Sequence, residues 1–327
     1  MIHYKIFEKF DEKIFAELKL NNSEYTQNIF QLDDWLKVTA ETANELLNLR
    51  IVIVYNYEKI ICIVPLEIKT INGFRKLSWL SSQIIDYNNA IFLKDYSYKK
   101  NNFIETWNNI IKEISSECDL IYFNKVPEFI MGRQNPLIKE DYKFYQFSYQ
   151  LNLTTLNFEK FYNYKNNNKT IQTDIRKKKK LNEGKNLVYV YKDCNKDSFL
   201  EVEELLLEKI RFYKDRKIKT FESEIINKYK KLISNNNEKY RFKICHCIKD
   251  KKKISSIFGV VHEDIFYYLI PLVYNHKLNK YSPGRFHIID LINWSIVKKL
   301  KFIDFTAGDE FYKSTWSNQK FKMYYHL

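Results

Sequence analysis

The spacing of apolar and polar positions divides the chain into elements. In the first half, Leu46 to Val54 and Ile60 to Ile68 read as strands joined at Asn56 to Lys59, and Asn72-Gly73 reads as a turn. Helical spacing places helices near Asp11 to Leu18, Leu32 to Leu46 and Tyr98 to Ser116. A short strand at Leu120 to Phe123 and a longer one at Phe144 to Leu151 follow. In the second half the pattern predicts a helix from Phe158 to Glu183, a strand at Leu187 to Tyr191 and helices over Ser198 to Tyr213 and Glu222 to Asn235. Three strands come next, Arg241 to Lys249, Ile254 to His262 and Ile265 to Tyr274. A helix from Ser282 to Lys299, a strand at Phe302 to Phe305, a short helix at Glu310 to Trp316 and a strand at Phe321 to Tyr325 close the chain. From Leu187 the order is β-α-α-β-β-β-α-β-α-β, and the first half follows a worn version of it. This predicts an α/β protein built from two copies of one unit, a repeat of architecture without visible sequence identity. The boundary falls near Leu151 to Phe158, giving domains 1–152 and 153–327.

Composition supports packed cores: of 327 residues, 45% are hydrophobic and 17% aromatic. No window holds the roughly 18 apolar residues of a membrane span; Ile254 to Val273 is broken by His262, Glu263 and Asp264. Met1 to Leu20 carries Glu8, Asp11, Glu12 and Glu17, unlike a signal peptide, so the expected location is cytoplasmic. The five cysteines are odd in number and scattered, which reads as reduced thiols. Cys245-His246-Cys247 lacks the spacing of a zinc half-site and reads as buried sulfurs flanking a strand histidine, so no metal is expected.

Charge is divided unevenly. The net charge of +14 splits into −2 over residues 1–150 and +16 over residues 151–327. A field of that sign favours polyanions such as nucleotide cofactors, anionic substrates or RNA. Asn163 to Lys180, which runs into Lys177 to Lys180, is either a basic arm or the solvated face of a helix carrying Ile171, Ile175 and Leu181.

Candidate chemistry concentrates near the C-terminus. Lys280-Tyr281-Ser282-Pro283-Gly284-Arg285 follows a strand and opens a helix. Ser282 can cap that helix, Pro283 fits its first turn, and Gly284 admits close approach to the backbone. Free amides and the positive helix end suit a phosphate, with Lys280 and Arg285 as reinforcement. The next strand ends in Asp304-Phe305-Thr306-Ala307-Gly308-Asp309-Glu310, which brings acids to its carboxyl end together with Tyr312 and Lys313. No G-x-S-x-G occurs, and the six histidines form no metal-spaced cluster.

Tyr281-Ser282-Pro283-Gly284, Asp304-Phe305, Gly308-Asp309-Glu310, Tyr312-Lys313 and Trp316 together resemble the C-terminal signature of the CelD-like (cellulose-biosynthesis-protein-like) acyltransferases of the GNAT superfamily, relatives of the FemAB peptidyltransferases. Looser likenesses extend over most of the chain, at Phe30 to Trp35, Ile63 to Leu66, Asp86-Tyr87 and Ile171 to Gly184 with Asp174 and Arg176. The resemblance implies tandem GNAT-like domains, each a mixed, mostly antiparallel sheet flanked by helices. The first would be degenerate and face the acceptor; the second would bind the donor and carry the chemistry. The glycine-rich phosphate loop of single-domain relatives is reduced here to Ser282-Pro283-Gly284.

The implied donor is acyl-CoA, and the implied acceptor an amino group of a sugar or cell-envelope precursor. In that scheme Lys280, Ser282, Pro283, Gly284 and Arg285 hold the donor, and a backbone N–H between Ile254 and Tyr274 steadies the oxyanion. Asp309, with Glu310 and Asp304 as alternatives, takes the amine's proton; otherwise Asp309 is the helix N-cap and Asp304 braces the turn. Tyr312 protonates the leaving thiolate and Lys313 stabilises negative charge, unless both belong to an ordinary surface helix. Asp86, Tyr87, Trp316 and Arg176 line the acceptor side. Two other readings stay open: a FemAB-like transferase whose basic helix Lys169 to Lys185 contacts aminoacyl-tRNA, and an inactive basic binding module on the same scaffold.

Overall fold

The computed structural model describes residues 2–9, 25–26, 28–41, 47–80, 84–93, 100–130, 132–184, 186–215, 224–235, 238–274 and 276–327. The helix expected over Asp11 to Leu18 lies outside them. The chain divides into two compact units: Met1–Ser148 with Phe321–Leu327, and Tyr149–Lys320. The last seven residues belong with the first unit.

The first unit contains β1 (Ile2–Phe7), β2 (Tyr25–Thr26), α1 (Asp33–Glu41), β3 (Leu47–Asn56), β4 (Lys59–Ile71), β5 (Phe74–Trp79), β6 (Ile91–Leu93), α2 (Lys100–Ser115), β7 (Leu120–Ile121), β8 (Phe123–Pro127), β9 (Phe129–Ile130) and β10 (Arg133–Gln134). Its sheet runs β1-β3-β4-β5-β7, with β6 against β4 and β2; β7 is parallel to β5, and the other pairs are antiparallel. Asn72 and Gly73 both take positive φ (51° and 83°), so the β4–β5 hairpin turns with the twist its strands require. Leu77 and Trp79 project to the helix side, where Trp79 stacks on Trp107 of α2 at 6.1 Å and Phe123 packs on both rings.

Strand β11 (Lys143–Asn152) leads from the first unit into the second, and β17 (Gln319–His326) leads back. In the first unit β17 is antiparallel to β8 through Met323↔Pro127 and Tyr324↔Val126, with Met323 fully buried and the His326 ring stacked on Tyr142 and Phe123.

The second unit contains α3 (Phe158–Lys165), α4 (Asn168–Leu181), β12 (Leu187–Asp193), α5 (Phe199–Asp215), α6 (Glu224–Ser234), β13 (Tyr240–Lys249), β14 (Lys252–His262), β15 (Ile265–Val273), α7 (Pro283–Val297), β16 (Phe302–Ala307) and α8 (Phe311–Thr315). Strands β12-β13-β14-β15 form an antiparallel ladder, and β16 is parallel to β15. The plan of three antiparallel strands, a helix and a parallel strand is therefore drawn twice, as β3-β4-β5-α2-β7 and as β13-β14-β15-α7-β16.

One predicted element divides. The helix expected from Phe158 to Glu183 is two helices, because Asn166 is extended and the Asn167 side chain accepts the Thr170 N–H at 2.8 Å, starting α4 afresh. Asparagine competes for backbone partners and favours caps over helix interiors. All five cysteines are free thiols. Among the described residues, no helix is long and apolar enough to cross a membrane.

Candidate functional site

Strands β15 and β16 pair only through Ile265↔Phe302, Phe266↔Ile303 and Tyr267↔Asp304, and have no registered partners beyond. On its other edge β15 holds one residue more than β14: Phe258 faces Ile270 but Gly259 faces Tyr268, so Leu269 forms a bulge. Gly259 is dictated by this close approach, since a Cβ there would lie 2.4 Å from the Phe266 ring and 2.6 Å from the Tyr267 carbonyl oxygen.

The carboxyl end of β15 opens on a cleft of about 360 Å³. Pro271, Leu272 and Val273 form one wall, Ser282, Pro283 and Gly284 at the start of α7 another, and Lys209 and Phe212 of α5 a third. Pro283 stands in the first turn of α7 as expected. Ser282, however, does not cap it. Its backbone is left-handed (φ 55°, ψ 51°), and its hydroxyl accepts from Lys177 Nζ of α4 at 3.0 Å. The Arg285 N–H bonds back to the Ser282 carbonyl at 3.1 Å. Since proline has no N–H, Gly284 supplies the N–H at this helix start that has no backbone acceptor among the described residues. A Cβ at Gly284 would meet Val273 Cγ2 at 3.1 Å, so the glycine keeps the cleft wall close to the strand.

Arg285 turns from the cleft. Its Nε donates to Asp174 Oδ2 at 2.7 Å, its Nη2 donates to Asn166 Oδ1 at 2.6 Å, and its guanidinium lies 4.7 Å over the Trp316 ring. Tyr162 donates its hydroxyl to the same carboxylate oxygen at 2.5 Å and stacks on Trp316. Burial, and then this hydrogen bond to a carboxylate, pushes the Tyr162 phenol up to about 12. Arg285 and Trp316 thus join α3, α4, α7 and α8 in one buried knot. Lys280 is exposed, with its ammonium 5.1 Å from the Tyr281 ring, and Arg176 is exposed on α4.

The acidic turn after β16 is tightly organised. Asp304 accepts the Thr306 N–H at 2.7 Å, holding Thr306 at φ 60° and bracing the strand end. Lys313 is buried, donates to the Ala307 carbonyl at 2.5 Å and pairs with Glu310 at 3.0 Å. Gly308, at φ 132°, lies directly over this pair, where a Cβ would come within 2.3 Å of Glu310 Oε2. Asp309 projects an exposed carboxylate; the N-cap of α8 is Glu310, without a side-chain cap bond. Tyr312 packs on Tyr268 and Phe305, closing the gap where β15 and β16 part.

Asp86 and Tyr87 stand in the first unit. Asp86 pairs with Lys125 at 3.2 Å, and Tyr87 is a buried core ring set edge-on against Phe30.

Lys209 and Phe212 were not expected at the cleft, nor Lys177 on the Ser282 hydroxyl. Their signal was a lysine interrupting the buried stripe Val202, Leu205 and Leu206 of α5; its Nζ donates to the Pro271 carbonyl at 2.8 Å.

Two buried histidines, one on the sheet and one on α7 against it, sit behind this site. His246 shares hydrogens with Ser256 (2.6 Å) and Glu201 (2.7 Å), and the neighbouring sulfurs of Cys245 and Cys247 are buried. His287 of α7 bonds to Ser255 at 2.8 Å and has no solvent exposure. Burial, followed by the charge of His246, pushes His287 down to about 3. The folded chain therefore keeps His287 neutral while the unfolded chain protonates it below about 6.5. Stability is lost as pH falls through that window, at up to about 1.4 kcal/mol per pH unit. Urea midpoints taken between pH 7 and pH 5 should fall with acidification, and less steeply for His287→Asn.

Residues 168–314 match the family model described as the acetyltransferase (GNAT) domain. Several solved structures share the fold along nearly their whole length. FemX is 10% identical, with 99% of this chain and 97% of that chain covered at a TM-score of 0.57. A conserved protein of unknown function from Bacteroides thetaiotaomicron VPI-5482 is 11% identical, with 99% of each chain covered at 0.54. A tandem GNAT protein from the clavulanic acid biosynthesis pathway is 8% identical, with 99% and 98% covered at 0.50. At such identities the likeness is one of fold. No curated protein matches the sequence.

Proposed function

We propose, from the premise that residues 168–314 are a GNAT-type acyltransferase domain, that the chain moves an acyl group from acyl-CoA to an amino group of a sugar or cell-envelope precursor, as a member of the CelD-like branch. The observation that carries this reading is the cleft at the carboxyl end of β15, walled by α5 and floored by the start of α7, beyond the point where β15 stops pairing with β16. A donor pyrophosphate there would meet the Gly284 N–H and the positive end of α7, with Lys209, Lys177 and Lys280 at hand. Its acyl arm would lie along β15, where the bulge at Leu269 frees the ladder to aim an N–H at the oxyanion.

The amine attacks the thioester carbonyl: the C–N bond forms, the C–S bond breaks, and one proton leaves the nitrogen while another reaches the sulfur. In this reading Asp309, the exposed carboxylate of the acidic turn, takes the first, and Tyr312, whose ring packs on Tyr268 of β15, gives the second. Lys313, held under Gly308 by Ala307 and Glu310, keeps the turn in shape. Asp86, Tyr87, Trp316 and Arg176 enter this scheme only through the resemblance.

A FemAB-like transferase taking its acyl group from aminoacyl-tRNA is the second reading. It is favoured by the exposed run Arg176, Lys178, Lys179 and Lys180 on α4, and by the start of α7, where among the described residues one amide, that of Gly284, lacks a backbone acceptor and a glycine-rich loop would offer several.

Thermal midpoints measured with acetyl-CoA, longer acyl-CoAs, tripolyphosphate and tRNA separate the two. A ligand at about a hundred times its Kd stabilises the fold by roughly 2.7 kcal/mol. A rise specific to CoA species is expected; salt-sensitive stabilisation by tRNA without a CoA effect would transfer the assignment to the second reading. Asp309→Asn should keep the acyl-CoA shift while lowering transfer by about a hundredfold or more. Unchanged turnover in that variant would remove Asp309 from the mechanism.

A further inference from the structure

The β4–β5 hairpin ends in a tip whose apolar side chains are exposed. Ile71 and Phe74 face each other across the last pair and are 41% and 65% exposed; Lys69 faces Lys76 one step back on the same side. Lys76 in turn pairs with Leu120 of β7, which is 42% exposed. Directly paired residues share a face of a sheet, so Lys69, Ile71, Phe74, Lys76 and Leu120 form one surface. Tyr122, two residues beyond Leu120, lies 5.6 Å beneath the Lys76 ammonium. Its ring is 6.2 Å from Tyr325, which is 6.2 Å from Tyr145. The charges on the other side of the tip neutralise each other, because Asp119 binds the Arg75 side chain at 2.9 and 3.2 Å and its backbone N–H at 2.8 Å.

We propose that this face of the first unit docks on the surface of an anionic lipid bilayer, with Ile71 and Phe74 entering the boundary between headgroups and acyl chains. The composition answers that partner in each part. A turn with fixed φ presents two apolar side chains at a stiff point. Lysines on the same face can keep their stems in the apolar layer and their ammonium groups among phosphates. Tyrosines behind them suit the headgroup level, where one end of the ring is apolar and the other wet. A protein partner or a second copy would gain little from two neighbouring lysines beside its apolar contact, with the buried Glu67 the acid on their side of the sheet, whereas an anionic surface gains from both. The proposal stands apart from acyl transfer, since it uses no residue of the cleft.

Co-sedimentation of the full chain with extruded vesicles tests it, using phosphatidylcholine alone and phosphatidylcholine with about a third phosphatidylglycerol. Binding at least about tenfold stronger to the anionic vesicles, weakening with salt, is the expected result. Ile71→Ser with Phe74→Ser should lower that binding about tenfold, and Lys69→Gln with Lys76→Gln should remove the preference for anionic lipid. Lys69, Ile71 and Phe74 are exposed and Lys76 is half-buried, so unchanged thermal midpoints would confirm that the variants fold. Vesicle binding that neither pair of substitutions alters, or none at all, overturns the proposal. Concentration-dependent self-association abolished by the serine pair, without vesicle binding, would assign the face to a second copy instead.

Discussion

Replacing Arg285 by methionine should cost the second unit about 3–5 kcal/mol, a loss far above that of a surface cation. The guanidinium is the cationic partner of a carboxylate whose side chain is only 8% exposed, and it also closes hydrogen bonding to Asn166 and covers Trp316. Removing it strands the Asp174 charge in a place water hardly reaches, so the penalty is the desolvation of an unpaired ion rather than the loss of one contact. Asp174→Asn alone should cost less, since Tyr162 can still donate to the amide oxygen. The double variant should be more stable than the sum of its parts implies, because the pair is coupled. Urea denaturation of the four chains measures this. If Arg285→Met lost less than about 1 kcal/mol, the knot would be a surface ion pair and not the fastening of α7. Donor binding should weaken with stability, since Arg285 fixes the first turn of the helix whose start floors the cleft.

The second large effect is expected at Gly259. Alanine there must displace the Phe266 ring and also the Tyr267 carbonyl oxygen, and only the ring can move cheaply. Overpacking of this kind costs about 1–3 kcal/mol when side chains alone yield. Here backbone must shift at a bulge, so about 3 kcal/mol or more is expected, or roughly 6–12 °C in the midpoint of a unit this size. If acyl transfer depends on the N–H aimed by the bulge, kcat should fall further than donor affinity in whatever fraction folds. Alanine at Gly284 offers the contrast, because its Cβ would meet one methyl group at 3.1 Å. Differential scanning calorimetry of both variants ranks them, and equal midpoints would contradict the argument.

Much of the second unit was legible because its strands bury both faces or alternate strictly. Phe258, Val260 and Phe266 have no exposure, and the pattern from Arg241 to Tyr274 had no competing period. The parts that escaped share a physical cause. Local pattern does not encode where a side chain ends after folding, so Ser282 could be read as a cap although a positive φ turns its hydroxyl to Lys177. Arg285 could be read as a phosphate ligand although its partner is more than a hundred residues earlier in the chain. Asp174 lay inside a basic run whose visible character was its lysines, and the decisive residue was the lone acid. β1 and β5 were missed because short strands with exposed charges, such as Phe74-Arg75-Lys76, offer little apolar signal. The turn at Asp304 to Lys313 was legible as a cluster because its members are neighbours in sequence. That Lys313 lies inside the turn rather than beside it was not.

The return of residues 321–327 to the first unit bears on how the chain is made. On a ribosome the first 148 residues emerge early, yet the strand that buries Met323 beside β8 and stacks His326 on Tyr142 and Phe123 emerges only after the whole of the second unit. Until then one edge of β8 is unpaired, which is where a nascent chain is open to association with its neighbours. The second unit, continuous from 149 to 320, meets no such delay. It can complete its ladder during synthesis while the older half of the chain waits for its final strand.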